Sequence, residues 1–472
     1  MSSFDFPLTI ENTHKVLREK KSSVLELTKA YLERIKTYDK KINSFITVAD
    51  DIAQDRARKA DELIGAHGDG AFELYPLLGV TIAHKDMYLT KGIRTTAGSS
   101  VLEDYIPVYS STVVERLDKA GAIVVGKTNQ DAWAHGSSGE NSDFGTTKNP
   151  WDTSFVPGGS SSGSAAAIAA NFALISTGTD TCGSIRLPAS YCYSVGLKPT
   201  YGAVSRYGVI AMASSVDTMG HITRSCDDSE RVFKVMSGPD GKDATVKEFK
   251  YKSNKKDKIT IGVPKEFFQE GLDKEVNAKL QEAISKFSEH GFEIKNVSLP
   301  HTKYGIDVYY IIQPAEVSSN LGRYDGIRYG NVRTVFSEEA KRRIMLGTYV
   351  LSAGYYDAYY LKAMKVRTII KKEVEEVFKD VDCLIAPVAP TPPFKLGEKV
   401  DDPLQMYLTD IYAATANLSG IPALALPFGF NSKGLPMGFQ LMGPKFSEPL
   451  LFEMGKRFET FSNYQPAVAN MK

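Results

Sequence analysis

Hydrophobic and polar residues follow a helical period at the start of the chain and then alternate between strand and helix patterns. Between Thr9 and Lys40 the apolar residues recur at helical spacing, and Ser22 or Ser23 is placed to cap the second of two amphipathic surface helices. Short apolar runs then alternate with amphipathic stretches in two series, the second starting at Ile259. This rhythm indicates an α/β protein, and we expect one large mixed α/β domain.

The same pattern predicts the individual elements. Strands are predicted at 44–48, 77–86, 122–126, 195–202 (with its turn), 259–264, 292–297, 383–387, 423–427 and 437–442. Helices are predicted at 112–120, 273–290, around 316–321, 337–378 and 449–461, and one more ends near residue 63. Two polar segments, 205–208 and 214–220, are predicted to be loops. The sequence repeats with no period of 20 to 50 residues, which excludes solenoids and propellers.

The segment 156–188 differs from the rest because it consists of two small-residue loops joined by an apolar run. The first loop, 157–164, is rich in Gly and Ser and opens a run of Ala and Ile without a polar face, so we expect a helix that is buried on all sides. The second loop, 178–184, combines hydroxyl groups, one carboxylate and two glycines. Exposed backbone N–H groups in such a loop can stabilise a developing oxyanion, so the segment is a candidate reaction centre.

Composition narrows the classes of function. The 472 residues carry a net charge of +1, so no overall field favours nucleic acid, membranes or acidic partners. The lysine-rich run 240–258 is expected to be solvated, and a nucleic-acid contact is the alternative. Four scattered cysteines suggest neither disulfides nor a metal site, and they favour a reducing compartment. No secretory or transit signal is evident and no apolar run approaches the length of a membrane span, so a cytoplasmic protein is predicted, with an organelle as the alternative.

Several common catalytic motifs are missing. The sequence has no HExxH or GxSxG motif and no clustered histidines, and the Gly-Ser loop lacks the lysine of a phosphate-binding GxxxxGK[ST] motif. A serine nucleophile can still be activated by a neutral lysine. Lys85 ends an apolar strand, so its side chain either emerges into solvent or is held among polar partners with its pKa lowered by burial.

The two loops and Lys85 together resemble the amidase signature family. Residues 156–188 match its pattern PGGSSGGSAAA followed by GTDTGGSIRxPA, and residues 83–86 match its lysine motif with the family's spacing. Further blocks resemble the glutamine-hydrolysing subunits of tRNA-dependent amidotransferases within that family: 125–129, 136–141, 197–202, 205–208, 318–326 and 354–360. The resemblance implies a single large α/β domain over 1–472, with a central mixed β-sheet covered by helices on both faces. It divides into N-terminal helices (1–70), a signature core (about 71–235) and a part holding the substrate pocket (about 259–472).

The resemblance also implies a reaction and its catalytic residues. Ser184 would attack the side-chain amide of glutamine to give a γ-glutamyl ester and release ammonia. Ser160, held through a cis peptide, would relay the proton between Ser184 and Lys85, which acts first as base and then as acid. The backbone N–H groups of Thr181, Cys182, Gly183 and Ser184 would form the oxyanion hole.

A glutamine pocket needs one group for the α-carboxylate and another for the α-ammonium. By resemblance these are Arg343, chosen over Arg342 by spacing alone, and Asp410. The remaining residues implied for the pocket are Tyr309 or Tyr310, and Ser138. No metal and no cofactor are implied in this chain, while ATP and Mg²⁺ are expected at the partner.

The implied assembly is a heterotrimer with amidotransferase subunits B and C. Ammonia would pass to a partner that amidates Glu-tRNA(Gln) or Asp-tRNA(Asn), and tRNA would be contacted mainly through that partner, with no role for a membrane. Two alternatives stay open: a stand-alone amidase acting on small amides, and a catalytically silent structural subunit. The second would have been favoured by loss of Lys85, Ser160 or Ser184, and all three are present.

The sequence departs from the family pattern at four positions. Ser162 replaces a Gly, Thr81 replaces a Pro and His84 replaces an aliphatic residue. Cys182 replaces the first Gly of the Gly-Gly-Ser triplet, which retains a backbone N–H but adds a Cβ to the turn. Its thiol is also an alternative nucleophile or an oxidation site.

Overall fold

A computed structural model of the chain describes residues 6–249, 251, 258–268, 271–324, 326 and 330–471. Part of the lysine-rich run, residues 250 and 252–257, lies outside the described residues, as does Asp325 of the block 318–326. Within the described residues, eleven strands form one sheet. They are β1 (Phe45–Val48), β2 (Thr81–Lys85), β3 (Ile123–Thr128), β4 (Ile175–Asp180), β5 (Val195–Lys198), β6 (Thr218–Thr223), β7 (Thr260–Pro264), β8 (Glu293–Val297), β9 (Cys383–Pro387), β10 (Ala423–Phe430) and β11 (Pro436–Met442).

The sheet is mixed. Its order is β1-β3-β2-β4-β6-β5-β10-β11-β9-β7-β8. The two parallel groups, β3-β2-β4 and β9-β7-β8, lie toward the ends, and antiparallel pairs connect them through the centre. This confirms the predicted α/β class with a central mixed sheet.

The described residues contain fifteen α-helices. They are α1 (Ile10–Arg18), α2 (Val24–Ile42), α3 (Asp50–His67), α4 (Ala71–Leu74), α5 (Thr112–Lys119), α6 (Ser162–Ala169), α7 (Arg186–Tyr191), α8 (Cys226–Met236), α9 (Lys274–Glu289), α10 (Gly305–Asn320), α11 (Glu338–Val350), α12 (Lys362–Val377), α13 (Pro403–Leu408), α14 (Ala414–Ser419) and α15 (Glu448–Phe461). None of them combines the length and the hydropathy that crossing a bilayer requires. Short 3₁₀ turns and one π-helical turn (Tyr356–Leu361) join them.

Helices cover the sheet on both faces, and β10 shows why. Leu424 and Leu426 pack into the core cluster that contains residues of α8, α9 and α15. Ala425, which points to the other face, packs with residues of α6 and α7. Because both faces of the central strands are covered, β2, β3, β4, β5, β6 and β9 are buried at every position.

Two local predictions are confirmed. Ser23 caps α2 through a capping box, in which its hydroxyl accepts the N–H of Glu26 while the Glu26 carboxylate accepts the N–H of Ser23. The helix α6 is buried at all eight positions, as its lack of a polar face predicts.

Three predictions were wrong. The loop predicted at 178–184 begins later, since Gly178–Asp180 completes β4, and the loop predicted at 214–220 includes the start of β6. The small and polar residues of these two stretches resemble loop residues, although every position of both strands is buried. The helix predicted at 337–378 is interrupted between α11 and the π-helical turn, where Gly354 takes a positive φ of 83°.

Candidate active site

Lys85 is held inside the protein at the end of β2. Its Nζ lies 2.7 Å from Ser160 Oγ, 3.0 Å from Ser161 Oγ and 2.8 Å from Thr179 Oγ1, and the side chain is fully buried. Burial lowers its pKa to about 7, while the carboxylates of Asp131, Asp180 and Asp217 act in the opposite direction. Of the two fates left open by the sequence, Lys85 has the second: polar partners and a lowered pKa.

Ser160 reaches Lys85 because the loop before α6 turns sharply. The peptide between Gly159 and Ser160 is cis, as the resemblance implies. The next residue, Ser161, donates its backbone N–H to the Ser184 carbonyl at 3.2 Å. The two small-residue loops are therefore joined directly, and the predicted relay serine and nucleophile are carried by adjacent, hydrogen-bonded segments.

Ser184 lies in the turn between β4 and α7. Its side chain is nearly buried, at 7% exposure. The turn is shaped by Asp180, whose carboxylate accepts the N–H groups of Gly183 at 2.8 Å and Ile185 at 3.2 Å and pairs with buried Arg186. Burial alone would raise the pKa of this carboxyl, but the adjacent Arg186 guanidinium holds it well below its usual value. A charged Asp180 thus fixes the turn that presents Ser184.

One of the four predicted oxyanion-hole donors already has a protein acceptor. The N–H of Gly183 donates to Asp180 at 2.8 Å. Within the described residues, the N–H groups of Thr181, Cys182 and Ser184 donate to no protein acceptor, which leaves three candidate donors. The Thr181 hydroxyl donates to buried Asp217 at 2.8 Å, and this contact orients the start of the turn.

Asp410 is the centre of a polar group beside the turn. It lies between α13 and α14, buried, and accepts hydrogen bonds from the Ser137 hydroxyl (2.8 Å to each oxygen) and from Tyr310 Oη (3.0 Å). Burial raises its pKa to about 7, while these two hydroxyls and Arg343 act in the opposite direction. The hydroxyl of Ser138, the predicted residue, instead accepts the N–H of Glu140 at 3.3 Å. Its neighbour Ser137 is the serine that contacts Asp410.

Arg343 is buried beside this polar group, whereas Arg342 is exposed, although both side chains line the cavity described below. The Arg343 guanidinium lies 4.6 Å from the ring centroids of both Tyr310 and Tyr407, and it donates to Glu339 at 2.6 Å and Gln313 at 2.8 Å. Its side chain is 4% exposed, against 44% for Arg342, which pairs with Glu339 at the surface. A cavity of about 170 Å³ adjoins both the Arg343 and the Asp410 partners, and its lining includes Ser137, Ser138, Tyr310, Arg343 and Tyr407.

The two remaining predicted residues, Tyr309 and Cys182, lie next to the residues that contact the cavity. Tyr309 is buried and packs edge-on against the Tyr310 ring at 5.0 Å, in the apolar cluster that also holds Cys182. Cys182 is itself buried, and its Sγ lies 3.9 Å from the Asp410 carbonyl. Burial raises the pKa of its thiol well above the usual value, which disfavours the thiolate that a competing nucleophile would need.

Sequence reasoning missed several polar residues of the site. Ser161 and Thr179 contact Lys85, Ser137 contacts Asp410, and Gln313 and Glu339 hold Arg343; the motifs predict none of them. A usable signal exists only for Ser137, Ser161 and Thr179, because each is a hydroxyl residue within a proposed motif. A larger hollow of about 1060 Å³ lies along α2, but its lining combines polar side chains with Phe6, Ala30 and Leu32 and includes none of the groups that contact Lys85.

Known proteins share this arrangement of sequence and fold. A family model described as Amidase matches residues 26–452. The A subunits of the glutamyl-tRNA(Gln) amidotransferases of Geobacter sp. (strain M21) and Geobacter metallireducens are 49% and 48% identical to the chain, each covering 96% of it and 97% of the relative. The crystal structure of the A subunit of glutamyl-tRNA(Gln) amidotransferase from Thermotoga maritima is 38% identical, with a TM-score of 0.83 and 100% of both chains covered.

Proposed function

The chain belongs to the Amidase family, and from that premise we propose that it is the glutamine-hydrolysing subunit of a tRNA-dependent amidotransferase. The observation that carries the proposal is a likeness of 48–49% identity, over nearly the whole length, to the A subunits of glutamyl-tRNA(Gln) amidotransferases. The site supports the same conclusion, because the turn that carries Ser184 contacts Asp410 through Cys182, and the Asp410 partners Ser137 and Tyr310 line a small cavity together with Arg343.

The catalytic centre can transfer protons without a histidine. Neutral Lys85 accepts the Ser160 hydroxyl proton while Ser160 accepts that of Ser184, so the Ser184 oxygen becomes the nucleophile. It adds to the glutamine amide carbon, and the N–H groups of Thr181, Cys182 and Ser184 stabilise the oxyanion. The proton returns through Ser160 to the amide nitrogen, the C–N bond breaks and ammonia leaves. Water then adds to the γ-glutamyl ester by the same relay and releases glutamate.

The cavity supports glutamine as the substrate. Arg343 can pair with the α-carboxylate, and ionised Asp410, with its Ser137 and Tyr310 donors, can pair with the α-ammonium. Arg343 already pairs with Glu339, whereas buried Asp410 accepts hydrogen bonds from the hydroxyls of Ser137 and Tyr310, so a ligand ammonium that pairs with Asp410 favours a zwitterion over a neutral amide. The site thus draws its catalytic residues from the proposed core, 71–235, and its substrate-binding charges from the proposed pocket part, 259–472.

The proposed partners complete the reaction. Subunits B and C form a heterotrimer with this chain, and the ammonia released here amidates Glu-tRNA(Gln) or Asp-tRNA(Asn) on the partner, with tRNA held mainly there. Hydrolysis as described uses only side chains and N–H groups of this chain, so we assign it no cofactor of its own, and we assign ATP and Mg²⁺ to the partner. We place the assembly in the cytoplasm, where the tRNAs are charged.

Ammonia release tests the proposal. The purified chain is assayed with glutamine alone and then with candidate subunits B and C, ATP and charged tRNA. We expect glutamine hydrolysis, measured as the glutamate formed, to rise strongly when the partners are present, because the ammonia has an acceptor only in the complex. Equal release without partners, together with comparable rates on other small amides, would instead support a stand-alone amidase.

Replacing Arg343 with alanine should weaken glutamine binding. We expect KM for glutamine to rise by about 10- to 100-fold, because a buried charge-assisted contact to the carboxylate is lost. Steady-state kinetics measure the change. Lys341→Ala is the matched control, since this cation lies on the same helix and does not line the cavity, and Arg342→Ala tests the other arginine of the lining. A simple amide that lacks an α-carboxylate should be hydrolysed equally by the wild type and the Arg343 variant. An effect of the same size in Arg342→Ala would contradict the assignment of Arg343.

A further inference from the structure

Asp131 is a buried carboxylate that the reaction described above does not use. It follows β3 and is fully buried. Its Oδ1 accepts the N–H groups of Gly139 at 3.1 Å and Asn141 at 3.0 Å, and its Oδ2 also lies 3.1 Å from the Gly139 nitrogen. The carboxylate therefore holds together the loop 136–141, which carries Ser137 toward Asp410.

The same residue also supports the loop that carries Ser160. Its backbone N–H donates to the Ser160 carbonyl at 3.3 Å. A Cβ at Gly159 would lie 2.1 Å from Asp131 Oδ2, and a Cβ at Gly136 would lie 2.5 Å from its Cγ. Asp131 is thus packed directly against the Gly159–Ser160 peptide on one side and the substrate loop on the other, with no room for a side chain at either glycine.

Charge gives a second connection to the reaction. The charged groups that face Asp131 are Lys85, which favours its ionised form, and Glu140, which opposes it. Burial raises the pKa of Asp131 to about 7, while the N–H groups of Asn141 and Gly139 act in the opposite direction. In return, the Asp131 charge raises the pKa of Lys85, in company with Asp180 and Asp217.

We propose that Asp131 is a positioning residue for amide hydrolysis. One carboxylate joins the substrate loop to the relay serine, and its negative charge governs the pH range over which Lys85 can act as the base. The inference rests on the proposed function for the identity of the substrate. It adds to that function a residue that touches neither the substrate nor the reacting atoms, yet is in contact with both loops that hold them.

Asp131→Asn tests the proposal, with Asp228→Asn as the matched control. Asp228 is also a buried carboxyl with a pKa raised to about 7, but it accepts the N–H of Ile10, far from Lys85. For Asp131→Asn we expect kcat to fall by about 10- to 100-fold, because the amide nitrogen that replaces Oδ2 turns an acceptor 3.1 Å from the Gly139 nitrogen into a donor. We also expect the acid limb of the kcat/KM profile to move to lower pH, because removing a neighbouring negative charge lowers the pKa of Lys85. Asp228→Asn should retain the wild-type profile.

The outcomes separate positioning from general stability. A lower kcat with an unmoved acid limb, or unchanged kcat, would overturn the proposal. If Asp131→Asn does not fold, Gly136→Ala is used in its place, because the added Cβ displaces the Asp131 carboxylate and keeps its charge. For Gly136→Ala we expect a lower kcat and an acid limb at the wild-type pH. A wild-type kcat in this variant would overturn the proposal. If the wild type hydrolyses no glutamine, the proposed function fails. The pH profiles of the wild type and the Asp131 variant are then measured on a simple amide whose hydrolysis depends on Ser184, so that the role of Asp131 is tested separately.

Discussion

Glutamine hydrolysis is expected to fall by about 10⁴-fold or more when Ser184 is replaced with alanine. The substitution removes the only proposed atom that bonds to the amide carbon, and nothing in the turn can replace it, because the adjacent Cys182 thiol is buried with a raised pKa. Glutamate formation in the presence of the partners measures the loss. The fold should be retained, since Ser184 contributes to the protein through its carbonyl, which accepts the N–H of Ser161.

Ser162→Ala is the control for this variant. It lies in the first small-residue loop, fully buried, but its hydroxyl contacts Thr147 at 3.3 Å rather than Lys85. We expect Ser162→Ala to keep near wild-type turnover. Equal activity of Ser184→Ala and wild type would show that another group is the nucleophile, while equal loss in both serine variants would mean that the loops tolerate no change and that the test reports on folding.

Local patterns predicted the fold well where one period dominated. The strands β7, β9 and β11 and the helix α15 were predicted within one or two residues, because each is bounded by a change from apolar to polar residues. The strand β6 was missed, since its start has a single apolar residue, Met219, between Thr218 and Gly220 and therefore carries little strand signal. Some residues in the centre of this sheet contact the catalytic groups, as Thr179 of β4 contacts Lys85, so their polarity does not indicate the secondary structure.

The sequence also predicted some residues of the candidate site and missed others. Lys85, Ser160 and Ser184 belong to contiguous motifs that resemblance could identify, whereas Gln313 and Glu339 hold Arg343 from α10 and α11 through contacts that exist only after the helices pack. Ser137 and Ser138 are adjacent in sequence, and only the path of the loop decides which hydroxyl reaches Asp410. Asp131 is separated in the chain from both Lys85 and Ser160, so its contacts could not be deduced from spacing.

Replacing Lys85 with methionine is expected to lower kcat by about 10²- to 10⁴-fold, the contribution of a positioned general base. Methionine fills a similar volume but has no proton acceptor, so the Ser160 hydroxyl loses the group that accepts its proton at 2.7 Å. Lys85→Arg is the informative companion, because it retains a cation that cannot lose its proton near neutral pH. Both variants should be inactive. Activity in Lys85→Arg alone would show that the charge of Lys85 matters and that its role as a base is wrong.

The pH profile of the wild type follows from the same residue. Lys85 works as a base only when it is neutral, and burial lowers its pKa to about 7. Below that pH the amine is protonated and its three neighbouring hydroxyls are left with an ammonium donor, so kcat/KM for glutamine should fall as the pH drops through about 7. Above it the neutral form dominates and the rate should reach a plateau. Because Asp410 also has a pKa raised to about 7, the limb should be measured a second time with a simple amide. A limb that vanishes there belongs to the Asp410 carboxylate that binds the ammonium. A limb that persists there, and persists in Asp131→Asn as well, belongs to Lys85.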